Sequence, residues 1–151
     1  MAALLDHIDR DGLEEFSVLF TDRSLNHMSK SFQQVMNDIS SMLKEVYAAD
    51  AVVLVPGGGT YGMEAVARQF GQNAQVLVVR NGWFSYRWSQ IFEATTDADD
   101  VEIMKARQIG NDSQSPFRPA PIEDVVAKIN DKKPDIVFAP HVETSAGVIL
   151  S

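Results

Sequence analysis

QVLVVRNGWFSYRWSQIF, residues 75–92, combines a short apolar run, a sharp turn and an amphipathic segment. The unbroken apolar residues from Val76 to Val79 are typical of a strand that is buried on both faces. Asn81-Gly82 breaks this run, and the helix predicted over 83–94 turns Trp88 and Phe92 inward. A buried strand followed at once by such a helix is the first half of a βαβ unit.

The same alternation of strand and helix extends in both directions from this stretch. Further strands are predicted over 51–55, 101–104 and 135–139, further helices over 29–49, 60–70 and 122–130, and a Pro-rich loop over 110–121. This order predicts an α/β fold, a three-layer α/β/α arrangement around a mostly parallel sheet. Ligands of such sheets bind at the carboxyl ends of the strands.

Composition narrows the classes of function. The 151 residues carry 13 Lys plus Arg against 21 Asp plus Glu, and the net charge of -8 disfavours a nucleic-acid partner. There is no cysteine, so thiolate metal sites and disulfides are excluded. The first ten residues lack the pattern of a secretory signal and no apolar run is long enough to span a membrane, so we expect a cytoplasmic protein.

The loop 56–62, PGGGTYG, lies between a predicted strand and a predicted helix. Glycines let backbone N–H groups approach a phosphate closely, and the helix N-terminus adds a partial positive charge. Thr60 is expected to cap the helix and to donate its hydroxyl to a phosphate oxygen. The alternative without a ligand is a tight strand-to-helix turn.

A nucleotide is the chief alternative ligand for this loop. Gly57, Gly59 and Gly62 match the Gly-x-Gly-x-x-Gly pattern of dinucleotide-binding folds. That pattern also requires an acidic residue at the end of the second strand, where this chain has Arg80. An arginine there suits the 2'-phosphate of NADP, so an NADP-type module remains the second hypothesis.

Two further loops follow predicted strand ends. Residues 81–86 hold three closely spaced aromatic side chains, and an aromatic ring at this level can stack on a planar cofactor ring. Aromatic residues in a helix also simply fill a core. Residues 141–147, HVETSAG, gather polar side chains that are costly to bury without partners or a ligand. We expect no metal site in this loop.

Taken in order, these loops resemble class V aminotransferases of fold type I, the group that contains the alanine-glyoxylate and serine-pyruvate aminotransferases. The resemblance runs from about residue 14 to the end of the chain. The matching residues are Asn26-His27-Met28, Gly58-Gly59-Thr60 with Met63-Glu64-Ala65, Asn81-Gly82 with Arg87, and His141-x-Glu143-Thr144-Ser145-x-Gly147.

The resemblance implies a pyridoxal 5'-phosphate enzyme that moves an amino group between a small amino acid and a 2-oxo acid. It implies that Gly58, Gly59 and Thr60 hold the cofactor phosphate, that Phe84 stacks on the pyridine ring, and that Thr144 hydrogen-bonds near the phenolic oxygen. It also implies a homodimer. Residues 1–22 are then an N-terminal segment, and residues 23–151 are part of the cofactor-binding large domain.

The resemblance further implies that three functional groups of the family follow later than Ser145. They are the aspartate at the ring nitrogen, the Schiff-base lysine and the arginine that binds the substrate carboxylate. No lysine of this chain lies at a suggestive loop. We therefore expect this sequence to be the front part of a longer enzyme and to contain no catalytic residue of its own.

This expectation can be tested with the 151-residue chain and added pyridoxal phosphate. We expect no conversion of alanine to pyruvate, because the base for the substrate α-proton and the partner of the ring nitrogen are missing. Borohydride reduction followed by peptide mapping should label Lys30 to Lys133 at scattered, substoichiometric levels. Stoichiometric labelling of one lysine together with turnover would contradict the expectation.

Overall fold

A computed structural model describes residues 27–95 and 98–150 of the chain. The predicted N-terminal segment 1–22 and Asn26 lie outside the described residues. The chain divides into two compact units, Met1–Leu54 and Val55–Ser151, which are treated separately below.

The described part of the first unit is dominated by helix α1, Lys30–Tyr47. Ser29 is its N-cap, and its hydroxyl accepts the Phe32 N–H at 3.1 Å. Ala48 ends the helix in the left-handed conformation, with φ of 48°. The helix predicted over 29–49 is thereby confirmed. Its apolar face is open within the described residues, since Met42 is 64% and Val46 is 74% exposed.

The buried strand predicted over 51–55 is wrong. These residues form no strand, and Val53 is 81% exposed. An apolar run becomes a strand only where a neighbouring strand satisfies its backbone groups. Within the described residues, no strand pairs with 51–55. The segment that precedes the glycine loop therefore belongs to no sheet within the described residues.

The second unit is built on a parallel sheet of three strands, in the order β2, β1, β5. Its central strand β1 is fully paired with β2 and is also paired with β5, and its residues from Val76 to Val79 are buried. The predictions over 75–79, 101–104 and 135–139 are confirmed. The strands within the described residues are β1 (Gln75–Arg80), β2 (Asp100–Lys105), β3 (Arg107–Gln108), β4 (Phe117–Arg118), β5 (Ile136–Phe138), β6 (Val142–Glu143) and β7 (Val148–Ile149).

Helices cover both faces of this sheet, which is the predicted three-layer arrangement. The helices are α2 (Gly59–Phe70), α3 (Trp83–Thr95) and α4 (Ile122–Lys132). On one face, Val76 and Val78 pack with Ala67 of α2 and with Phe92 of α3. On the other, Val79 packs with residues of α4. Successive side chains of β1 point to opposite faces of the sheet, so this one strand contributes to two hydrophobic cores.

Two short hairpins complete the unit, and sequence patterns indicated neither. Strands β3 and β4 pair across residues 109–116, so β4 lies inside the loop predicted at 110–121. Strand β6 pairs with β7 across residues 144–147. Gly147 adopts a φ of 63°, which closes the second turn at no steric cost. The mixed α/β fold with a parallel sheet is as predicted.

Replacing one buried and one exposed valine tests whether β1 is buried and whether residues 51–55 lie outside the core. Val78→Ala should lower the free energy of unfolding by about 2 kcal/mol, because it removes buried methyl groups and leaves a cavity. Val53→Ala should change it by less than about 0.5 kcal/mol. Urea titrations followed by circular dichroism measure both values. An equal loss of unfolding free energy at the two positions would indicate that residues 51–55 are buried in the core.

Candidate cofactor site

Helix α2 begins at Gly59, within the loop 56–62, and its first turn is open. Gly58 is the N-cap, with φ of -78° and ψ of 159°, and no side chain bonds to the first turn. The Tyr61 N–H reaches the Gly58 carbonyl at 2.9 Å, which leaves the N–H groups of Gly59 and Thr60 without an intrahelical acceptor. Free N–H groups at the positive end of a helix favour a bound anion.

The fold requires glycine at only one of the three consecutive positions 57, 58 and 59. Gly57 has φ of 123°, and a Cβ there would lie 2.2 Å from the Tyr61 ring, so the turn itself requires glycine. Gly58 adopts an ordinary conformation, Gly59 is helical, and an added Cβ at either would meet nothing within 4 Å. The fold therefore gives no internal reason for glycine at positions 58 and 59.

Thr60 is not the helix cap that the sequence predicted. Because Gly58 is the N-cap, Thr60 is the second residue of α2. Its hydroxyl oxygen instead accepts a hydrogen bond from the guanidinium of Arg87, on α3. This contact brings a cation to the open end of α2 and leaves the Thr60 hydroxyl proton available to an acceptor.

The second and third loops are joined by the buried carboxylate of Glu143. This side chain is 1% exposed and accepts the N–H groups of Phe84 at 2.9 Å and of Ser85 at 2.6 Å, together with the Ser85 hydroxyl. These donors lie in the first turn of α3. Glu143 thus acts as a helix cap supplied from 58 residues away, where the helix dipole also favours negative charge.

Gly82 and Ser85 shape the turn that receives this carboxylate. A Cβ at Gly82 would lie 2.9 Å from a Glu143 carboxylate oxygen, so only glycine lets the two loops approach this closely. The Ser85 hydroxyl accepts the N–H groups of Asn81 at 2.8 Å and of Gly82 at 3.1 Å. The turn between β1 and α3 is therefore held from both sides.

The predicted site residues occupy two linked places. Gly58, Gly59 and Thr60 form the start of α2, which Arg87 connects to α3. Phe84 lies one turn before Arg87 on α3 and is 44% exposed, so its ring is open to a ligand. Thr144 is exposed and directly follows Glu143. The structure gives no direct contact between Phe84, Thr144 and the glycine loop.

Sequence reasoning missed the roles of Glu143, Ser85 and Arg87. Glu143 was grouped only with polar residues of its loop, since no local pattern relates it to a helix 58 residues away. The role of Ser85 could have been predicted from the sequence. It lies three residues after Gly82 of the Asn-Gly turn, where a serine hydroxyl can accept hydrogen bonds from the N–H groups of the turn. Arg87 was recognised by resemblance, but its partner Thr60 was not.

Comparisons with known proteins identify a related architecture. Neither the models of known protein families nor the curated protein sequences match this chain. Among solved structures, it is similar to ureidoglycine-glyoxylate aminotransferase from Bacillus subtilis, with 27% sequence identity and a TM-score of 0.66. The fold is that of part of an aminotransferase. The match covers 80% of this chain, which spans only 30% of that enzyme.

The same likeness does not favour the dinucleotide-binding alternative. The structure also lacks the context that the Gly-x-Gly-x-x-Gly pattern needs, because residues 51–55 before it form no strand.

None of the helices in the described ranges is long and apolar enough to cross a lipid bilayer.

Replacing Glu143 tests whether its carboxylate holds the two loops together. In Glu143→Gln the amide nitrogen cannot accept an N–H, so a buried donor at the start of α3 loses its partner. We expect the free energy of unfolding to fall by about 1 to 3 kcal/mol. Glu93→Gln on the exposed side of the same helix should change it by less than about 0.5 kcal/mol. Comparable urea midpoints for the two variants would contradict the capping role.

Proposed function

We propose that this chain supplies the phosphate- and ring-binding part of a pyridoxal-phosphate-dependent aminotransferase. The observation that carries the proposal is the open N-terminus of α2, where two unpaired N–H groups, the Thr60 hydroxyl and the Arg87 cation lie together. The structural likeness to an aminotransferase supports the same reading.

The residues present fit the phosphate of the cofactor. Space is open where side chains at positions 58 and 59 would stand, so a phosphate can approach the backbone there. A phosphate carries up to two negative charges near neutral pH, which the helix dipole and the Arg87 guanidinium offset. The fold itself does not require glycine at positions 58 and 59, and a bound phosphate explains why glycine is present there.

Each remaining residue of the proposed site has a distinct task. The exposed ring of Phe84 packs against the flat pyridine ring, and Thr144 donates a hydrogen bond near its phenolic oxygen. Glu143 binds no ligand and fixes the loops that carry Phe84 and Thr144. When bound, the cofactor supplies an electron sink for the α-carbon of an amino acid.

The substrate class and the assembly state belong to the same proposal. We propose that the enzyme exchanges amino groups between small amino acids and 2-oxo acids, and the similar structure bears the name of an enzyme using glyoxylate, a small 2-oxo acid. We also propose a homodimer. The exposed apolar side chains of α1, such as Met42 and Val46, offer surface that a second subunit could bury.

Gly58, the N-cap of α2, and Gly62, inside that helix, provide a matched test of the phosphate cradle, the proposed site formed by Gly58, Gly59 and Thr60. Gly58→Ala places a methyl group where the phosphate would approach, so the affinity for pyridoxal phosphate should fall about tenfold or more. Gly62→Ala also meets nothing within 4 Å, but it lies inside the helix. It should leave affinity unchanged and raise the free energy of unfolding by about 0.5 to 1 kcal/mol.

Thr60→Ala completes this experiment. The loss of a hydroxyl that faces a charged phosphate should weaken binding by about 1.5 to 3 kcal/mol, whereas Thr60→Ser should retain most of the affinity. Equilibrium titration with pyridoxal phosphate, followed by its absorbance, measures all four variants. If the affinity for pyridoxal phosphate were unchanged in both Gly58→Ala and Thr60→Ala, its phosphate would bind at a different site.

A further inference from the structure

A second cavity opens at the carboxyl edge of the sheet, and it contains none of the proposed cofactor residues. Its volume is about 460 Å³, within the range of small-molecule sites. The ends of β1 and β2, the first turn of α3, β4 and the turn between β6 and β7 all contribute to its wall. Its lining residues include Arg80, Asn81, Trp83, Tyr86, Lys105 and Phe117.

Two basic residues that line this cavity stand in register on neighbouring strands, and Lys105 is exposed. Arg80 and Lys105 are register partners on the parallel strands β1 and β2, so their side chains leave the same face of the sheet about 5 Å apart at the backbone. The Ala106 N–H bonds to the Arg80 carbonyl at 2.8 Å and holds the two strand ends together. Like charges placed directly across a strand pair are destabilising.

No carboxylate relieves this repulsion within the described ranges 27–95 and 98–150. The salt bridges of that part of the chain engage other residues, and neither Arg80 nor Lys105 takes part in them. The Arg80 guanidinium instead lies 5.1 Å from the centre of the Tyr86 ring. In a chain with a net charge of -8, two adjacent cations without an acidic partner indicate that an anion completes the pair.

A buried amide provides an independent sign of a ligand. Asn81 is 3% exposed and lines the cavity, yet neither its side-chain oxygen nor its side-chain nitrogen has a hydrogen-bond partner. A buried polar group without a partner costs about 1 to 3 kcal/mol, so such groups are rarely left unpaired. A bound molecule with a polar group at this depth would satisfy Asn81.

The rest of the wall is aromatic. The rings of Trp83 and Tyr86 lie 5.6 Å apart and are tilted by 39°, and Phe117 contributes from the opposite hairpin. Trp83 and Phe117 are 56% and 51% exposed, so their rings are accessible to a ligand. Flat surfaces of this kind favour a planar molecule by offset stacking.

We propose that this cavity binds a small organic anion with a planar body, of the aromatic carboxylate class. The carboxylate lies between Arg80 and Lys105, the ring packs against Trp83, Tyr86 and Phe117, and a polar ring atom bonds to Asn81. The site is separate from the proposed phosphate cradle. It does not depend on the aminotransferase function.

The test uses the 151-residue chain with pyridine-3-carboxylate as the probe and pyridine-3-carboxamide as its neutral counterpart. In a Trp88→Phe background, Trp83 is the remaining tryptophan and reports on the cavity by fluorescence. We expect saturable binding of the carboxylate with a Kd on the order of 1 mM, from the usual affinity of ligands of this size. The carboxamide should bind about tenfold more weakly.

Charge variants identify the binding residues. Arg80→Gln and Lys105→Gln should each weaken carboxylate binding about tenfold. Arg118→Gln, which removes an exposed cation outside the lining, should leave it unchanged. Thr60→Ala should also leave it unchanged, which separates this site from the cofactor cradle. Circular dichroism confirms that each variant is folded.

Each of the following results would overturn the proposal. They are the absence of saturable binding, equal affinity for the carboxylate and the carboxamide, and equal binding in Arg80→Gln, Lys105→Gln and the parent chain. Inorganic phosphate that binds as tightly as the carboxylate would also overturn it, because the aromatic wall would then contribute nothing. Loss of pyridoxal phosphate binding in Thr60→Ala, with the probe still bound, would support both sites.

Discussion

The carboxylate of Glu143 at the start of α3 is the contact on which the candidate site depends. It is almost fully buried, and a charge in that position is tolerated only when hydrogen bonds replace its hydration. The N–H groups of Phe84 and Ser85 and the hydroxyl of Ser85 supply them. One interaction therefore satisfies a buried charge, caps a helix and fixes two loops that are far apart in sequence.

This contact also explains why the turn after β1 has its particular residues. Gly82 leaves room for the carboxylate, and Ser85 bonds at once to the turn and to Glu143. The first two turns of α3 then present side chains in two directions. Arg87 reaches Thr60 at the proposed cradle, and Trp83 with Tyr86 lines the second cavity. The start of α3 therefore contributes to both proposed sites.

Much of the fold was readable because β1 carries its own signal. A run of apolar residues from Val76 to Val79, closed by Asn-Gly, is buried in the structure as expected. The run at 51–55 has a similar pattern and no partner strand within the described residues, so it remains exposed. Local pattern measures the capacity to form a strand, whereas pairing decides whether one forms.

The sequence by itself determined the alternation of strands and helices, the open glycine loop and the set of polar loops at the strand ends, because spacing and glycine content are local properties. Only the tertiary structure decided that Arg87 bonds to Thr60, that Glu143 caps α3, and that Arg80 and Lys105 stand in register. Those pairs join residues 25 to 59 positions apart. Contacts over such distances depend on how the chain packs, which no local pattern records.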